Sequence, residues 1–187
     1  MSNHRVLLFG GSFNPPHVGH VFLTAWALST QRFDALWWIP TFDHAFGKRL
    51  APFDVRVRMC ERAVSLFDGR ATVSCVEREI GGESRTIKTL DHLEAQHPGT
   101  EFTLLMGADL LAQIPKWERG KELIARVPIL VIGRQNSGVD GLPVTLPDIS
   151  SHDVRAAVGA NDWRDVEGSV PSSVVELIRA EGLYRAP

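Results

Sequence analysis

Two histidines three residues apart, His17 and His20, stand in the run G-G-S-F-N-P-P-H-V-G-H, residues 10–20. At that spacing both imidazoles share one face of a helical turn. The first turn of a helix carries unpaired N–H groups and the positive end of the helix dipole, so it attracts anions. Gly10-Gly11 allow the backbone a close approach to a phosphate. Gly19 leaves room between the two rings for a substrate. The loop is neither G-x-x-x-x-G-K-[ST] nor G-x-G-x-x-G, and it contains no lysine. The pair has other readings, as surface histidines or as metal ligands. A metal site needs a third ligand, and the segment has no H-E-x-x-H pattern and no neighbouring carboxylate. The second set is I-S-S-H-D-V-R, residues 149–155. A serine ahead of a helix is an ordinary N-cap. Arg155, one turn in, is a cation where the dipole disfavours one, which is easier to understand if a polyphosphate shares the site. From the residues alone, cap and phosphate site both stay open.

Short apolar runs alternate with longer amphipathic ones, and these elements must position the two sets. Strands are expected at Arg5–Phe9, Ala35–Ile39, Thr72–Val76, Glu101–Met106 and Ile129–Ile132, with a short sixth at Leu142–Leu146. Helices are expected at Val18–Gln31, with Val21, Phe22, Ala25 and Leu28 on one face, at Asp54–Phe67, with Val55, Met59, Ala63 and Phe67 aligned, and at Thr86–Gln96. Further helices are expected at Lys121–Arg126, Ser151–Val158 and Pro171–Glu181. The alternation predicts βαβ units, a doubly wound parallel sheet of the Rossmann-like α/β class, and ligands at the C-terminal ends of the strands. The residues after each strand, Gly10–His20, Thr41–Leu50, Gly107–Trp117 and Gly133-Arg134, are the places to look.

The chain has 187 residues, which predicts a single domain over 1–187: a core over 4–135, then the Ser150–Arg155 helix and C-terminal helices over 147–187. With 20 Lys and Arg against 22 Asp and Glu, the net charge of −2 argues against a dedicated nucleic-acid or anionic-membrane binder. Cys60 and Cys75 are too few for a disulfide framework and read as reduced thiols. Val6–Gln31 lacks Asp, Glu, Lys and Arg, but its prolines, glycines and histidines break any spanning helix, and Val6–Phe9 is too short for a signal-peptide core. A cytoplasmic protein is expected.

The pairing of G-G-S-F-N-P-P-H-V-G-H with I-S-S-H-D-V-R resembles the H-x-G-H / I-S-S-x-x-x-R nucleotidyltransferases, and among them the nicotinate-nucleotide adenylyltransferases of bacterial NAD synthesis. Matches continue at Lys48, at S-R-T-I-K-T-L (84–90), at Gly107-Ala-Asp109 followed by Trp117, and at an ending V-P-S-S-V-V-E-L-I-R-A-E-G-L-Y (170–184). The resemblance implies adenylyl transfer from ATP to nicotinate mononucleotide, giving nicotinate adenine dinucleotide and pyrophosphate. It implies that His17, His20 and Arg155 act on the ATP phosphates with Ser150, Ser151 and Lys48. Gly10, Gly11, Ser12 and Phe13 would line the substrate. Trp117 would stack on the pyridine ring and Asp109, after Gly107, would meet a ribose hydroxyl, its other reading being the N-cap of the short segment Leu110–Gln113. Thr86 would offer its backbone N–H to the nicotinate carboxylate, with Arg85 beside it, and Arg134 would line the adenine site. The only expected cofactor is Mg²⁺, held mainly by ATP phosphates and water, and the expected partners are these small molecules.

The chain departs from the family's usual residues at Asn14 (often Asp), at Thr41–Lys48 (often P-P-H-K), at Arg85 (commonly Tyr) and at His152 (commonly Thr). Acceptors such as nicotinamide mononucleotide or another phosphate monoester, or a non-catalytic nucleotide sensor of the same fold, are the alternatives.

Overall fold

Parallel strands covered on both faces are near-continuous apolar runs, and the described residues supply five. In the computed structural model, which describes residues 4–45, 47–132 and 149–185, they are β1 (Arg5–Gly11), β2 (Ala35–Pro40), β3 (Ala71–Val73), β4 (Glu101–Gly107) and β5 (Ile129–Ile132). They form one sheet in the order β3-β2-β1-β4-β5, every pair parallel. Phe9 of β1 sits opposite Trp38 on one side and Leu105 on the other. The strand order turns at β1, so the crevice beyond the ends of β1 and β4 is the topological switch point where such folds bind ligands. The expected sixth strand at Leu142–Leu146 lies outside the described residues.

Alternation along the strands divides the core in two. Leu7, Phe9, Leu36 and Trp38 pack with α1 (Val18–Thr30), α2 (Phe53–Val64), α7 (Ser151–Gly159), α8 (Trp163–Ser169) and α9 (Ser172–Ala180). Val6, Leu8, Leu104 and Met106 pack with α3 (Val76–Ile80), α4 (Thr86–Gln96) and α6 (Gly120–Arg126). A short α5 (Ala108–Leu111) follows β4. Among the described residues no helix is long and apolar enough to cross a membrane.

Three local expectations need correction. The third strand ends at Val73, because Val76 turns into the second core cluster as the start of α3. Helix α8 was not anticipated: it is seven residues long and capped by the Asp162 side chain on the Asp165 N–H. In α1 the buried stripe is Gly19, Leu23, Thr24, Ala27 and Leu28, while Phe22 is 45% exposed. Apolar residues fall on every side of α1, so periodicity could not mark the stripe. A buried polar contact does: the Trp38 indole donates to Thr24 Oγ1 at 2.9 Å.

The turn between α5 and α6 positions Trp117 and depends on one glycine. A Cβ on Gly120 would lie 1.9 Å from the Ile114 carbonyl oxygen, and the Gly120 N–H closes the turn onto Trp117 O at 3.0 Å. Gly120→Ala is expected to lower stability by about 3 kcal/mol, since backbone rather than a flexible side chain must move. A urea midpoint unchanged from that of the parent chain would contradict this.

Candidate active site

β1 delivers the loop Ser12–His17 to the switch point. His17 is the N-cap of α1, with extended backbone (φ −136°, ψ 171°), and His20 is its third helical residue. The His17 backbone N–H donates to His20 Nδ1 at 3.1 Å. A neutral imidazole with an acceptor at Nδ1 carries its proton on Nε2. The two rings lie 3.8 Å apart between centroids. Beneath His20 is an aromatic floor: Phe13 at 5.0 Å, Phe9 at 5.7 Å and Trp38 at 5.9 Å. Phe13, expected to line the substrate, instead turns its ring inward. It is 2% exposed and stacks on Trp38 at 4.7 Å and 8°.

The glycines also act differently from expectation. Neither Gly10 nor Gly11 adopts positive φ; that conformation falls on Phe13, at φ 44°. A Cβ on Gly11 would meet the Phe13 ring at 3.2 Å. Gly10 has nothing within 4 Å of a Cβ and leaves the cavity open. The space over Gly19 is filled by the His17 ring, whose Nδ1 would be 3.0 Å from a Cβ there. It is therefore room for His17, not for a substrate between the rings.

The I-S-S-x-x-x-R segment reaches this loop across more than 130 residues. Ser151 Oγ donates to Pro15 O at 2.8 Å. Arg155 Nη1 donates to Asn14 O at 2.7 Å and to Ser151 O at 3.0 Å. Ser150 is the N-cap of α7: its Oγ accepts from the Asp153 N–H at 3.2 Å and donates to Asp153 Oδ2 at 2.5 Å. The N-cap reading of Ser150 thus holds, and Arg155 is first a clasp between α7 and the histidine loop.

A cavity of about 320 Å³ opens on the other side of the switch point. Of the expected residues, Gly10, Gly11, Ser12, Lys48, Arg85, Thr86 and Trp117 line it. His44 does too, and its pKa is lowered by burial and then by the Lys48 charge. Thr86 is the first residue of α4 and Arg85 its N-cap. Arg85 does not present a bare charge: it pairs with Glu83 and, at 3.5 Å, with Glu118. Gly107 ends β4 and caps α5. Arg134 and the side chain of Asp109 lie outside the described residues.

Two site-building residues escaped the sequence reading. Arg56, on α2, is 1% exposed and donates to three backbone carbonyls: Ala51 O at 2.9 Å, Ser12 O at 2.9 Å and Thr41 O at 2.7 Å. Burial lowers its pKa. The signal was present, since Arg56 lies four residues before Cys60 and seven before Ala63 on the apolar face of its helix. Glu77 lines the cavity and accepts from the Phe42 N–H at 3.0 Å and Thr89 Oγ1 at 3.4 Å. Burial raises its carboxyl pKa, opposed by bonds from Ser84, Phe42 and Thr89. Nothing in its local sequence marks it.

Among the described residues no group of three or more His, Cys, Asp or Glu side chains converges to hold a metal ion. The donors around the paired imidazoles are N–H groups and a guanidinium, which suit anions. A divalent cation fits such a donor set as the companion of substrate phosphates, not as a resident of a protein cage.

The structure thus brings paired histidines at the switch point of a parallel sheet together with a serine and an arginine from a late helix. The cytidylyltransferase-like family model matches residues 8–157. A protein of Anaeromyxobacter dehalogenans named probable nicotinate-nucleotide adenylyltransferase is 44% identical, over 99% of this chain and 100% of its own length. One of the same name from Myxococcus xanthus is 33% identical, over 96% of this chain and 94% of its own. The chain belongs to the nicotinate-nucleotide adenylyltransferase family. In fold it is similar to the nicotinic acid mononucleotide adenylyltransferase of Plasmodium falciparum solved with NaAD. That likeness has a TM-score of 0.83 and 19% identity, and covers 96% of this chain and 97% of the other.

Removing Arg56 leaves three carbonyls without their donor and a cavity behind. Arg56→Ala is expected to lose about 4 kcal/mol of stability. Arg56→Lys should recover less than half of it, because an ammonium cannot reproduce the fork. Denaturant titration of both variants checks this; full recovery by lysine would show that only the charge matters.

Proposed function

We propose that this chain transfers the adenylyl group of ATP to nicotinate mononucleotide, releasing pyrophosphate and forming nicotinate adenine dinucleotide for NAD synthesis, within one nucleotidyltransferase domain. The observation that carries the reading is the convergence of His17 and His20 with Ser151 and Arg155 at the switch point, next to a cavity headed by the α4 N-terminus.

The acceptor phosphate is ionised at neutral pH and needs no strong general base. Catalysis is then positioning and stabilisation of developing charge. His20, with its proton on Nε2, donates to the α-phosphate, and its bond from the His17 N–H holds it in that tautomer. His17 and the first-turn N–H groups of α1 and α7 receive phosphate oxygens. Among the described residues Arg155 is engaged only through Nη1, so Nε and Nη2 are its donors to the leaving pyrophosphate. Mg²⁺, held by ATP phosphates and water, supplies charge neutralisation when bound. The mononucleotide occupies the cavity with its ring against Trp117 and its carboxylate at the Thr86 N–H. Lys48, on the cavity's exposed rim, adds positive charge.

Pyrophosphate release from ATP, assayed with nicotinate mononucleotide, nicotinamide mononucleotide and other phosphate monoesters, tests the reading. The acid is expected to be preferred by roughly tenfold to a hundredfold in kcat/KM, the worth of one hydrogen bond to a charged group. Arg85→Ala should leave that ratio within about twofold, because Glu83 and Glu118 already neutralise the guanidinium. Equal use of acid and amide would overturn the deamido assignment. His20→Ala is expected to lower kcat by roughly 10²–10³ while ATP affinity changes far less. A loss confined to KM would make His20 a ground-state binder.

A further inference from the structure

Asn14 lies between the sheet and the histidines, is 4% exposed, and is gripped from three directions. Its backbone carbonyl accepts from Arg155. Its Oδ1 accepts from the Ala51 N–H at 3.1 Å and from the Tyr184 hydroxyl at 2.8 Å. The last bond spans 170 residues. Tyr184 reaches it through an unusual backbone. Gly182, at φ 60°, ends α9, the Leu183 N–H returns to Ile178 O at 3.0 Å, and Tyr184 itself sits at φ 62°. A left-handed conformation is unfavourable for an aromatic residue and persists only where surrounding contacts impose it. The second non-glycine residue near this bond with positive φ is Phe13, immediately before Asn14. Two strained positions thus flank one hydrogen bond, and its acceptor is three residues from His17. Burial raises the Tyr184 pKa, so its hydroxyl stays protonated and remains a donor.

We propose that Tyr184 is a positioning residue for adenylyl transfer: through Asn14 it holds the Ser12–His17 loop, and hence the His17–His20 pair, in the geometry that meets the α-phosphate. Arg155 and Ser151 fix the loop's main chain at Asn14 and Pro15, whereas Tyr184 fixes the Asn14 side chain. The acceptor cavity is lined by neither Asn14 nor Tyr184. The tether therefore governs turnover and not mononucleotide binding. This inference rests on the adenylyl-transfer reading above.

Tyr184→Phe deletes only the hydroxyl. Its kcat is expected to fall roughly tenfold, with KM for nicotinate mononucleotide within about twofold, as when preorganisation rather than binding is lost. In an Asn14→Ala background the same change should have no further effect on kcat, because its route has gone. The His20 imidazole ¹⁵N resonances should move in Tyr184→Phe. A lowered melting midpoint with kcat within about twofold of the parent would reduce Tyr184 to a purely structural contact. An undiminished loss in the double variant would overturn the route through Asn14. If Asn14→Ala does not fold, unmoved His20 resonances in Tyr184→Phe overturn the proposal. Failure of the parent chain to release pyrophosphate with any mononucleotide would refute adenylyl transfer instead, and the resonances would still test the tether.

Discussion

A single buried guanidinium ties together the loops on which this site depends. Arg56 donates to the carbonyls of Ser12, Thr41 and Ala51. Ser12 leaves the first strand, Thr41 leaves the second, and Ala51 precedes the helix that carries Arg56. Loop carbonyls beyond the ends of strands have no ladder partner, and a buried one left unpaired is costly. Arginine answers three of them at once because its planar fork presents donors in several directions. The desolvation of its charge, which lowers its pKa, is opposed only in part by nearby Glu77, while the three carbonyl dipoles give its donors partners. With that clasp in place, the Ser12–His17 loop and the Thr41–Leu50 loop start from fixed points.

The histidine pair is then held by packing and by polar tethers, both supplied from one face of the sheet. Below it, Phe9, Phe13 and Trp38 form an apolar support that keeps His20 from turning inward. Around it, polar tethers come from residues far along the chain: Ser151, Arg155 and Tyr184 all reach residues 14 or 15. The two arrangements divide the task. Aromatic packing is indifferent to small slides, whereas directed hydrogen bonds define distance and angle. Both are needed to hold an imidazole in one orientation, as the proposed role of His20 requires.

Charge in the acceptor cavity follows a similar economy. Arg85 is compensated by Glu83 and Glu118, and Glu77 is enclosed by N–H and O–H donors. The α4 N-terminus and Lys48 also line the cavity and carry its positive potential. In the proposed reading, a backbone N–H at a helix N-terminus favours a carboxylate over an amide because its bond to a charged acceptor is the stronger one.

The local sequence by itself determined the parallel α/β class, most strand and helix positions, and the identity of the two chemical motifs. Each of these depends on short-range pattern: apolar runs for buried strands, capping residues for helix starts, and histidines at a helical spacing. The tertiary structure alone decided which face of α1 is buried, because that helix is apolar almost all round and its stripe is fixed by the packing of Leu23, Ala27 and Leu28 and by the Trp38–Thr24 bond. It also decided that Phe13 supports His20 from the core and that the space over Gly19 belongs to His17. The roles of Arg56, Glu77 and Tyr184 were equally hidden, since each depends on partners between 5 and 170 residues away. A buried arginine on an apolar helical stripe was the one sign readable in advance. Which carbonyls it would meet is a question of loop ends converging in space, and no local pattern encodes that convergence.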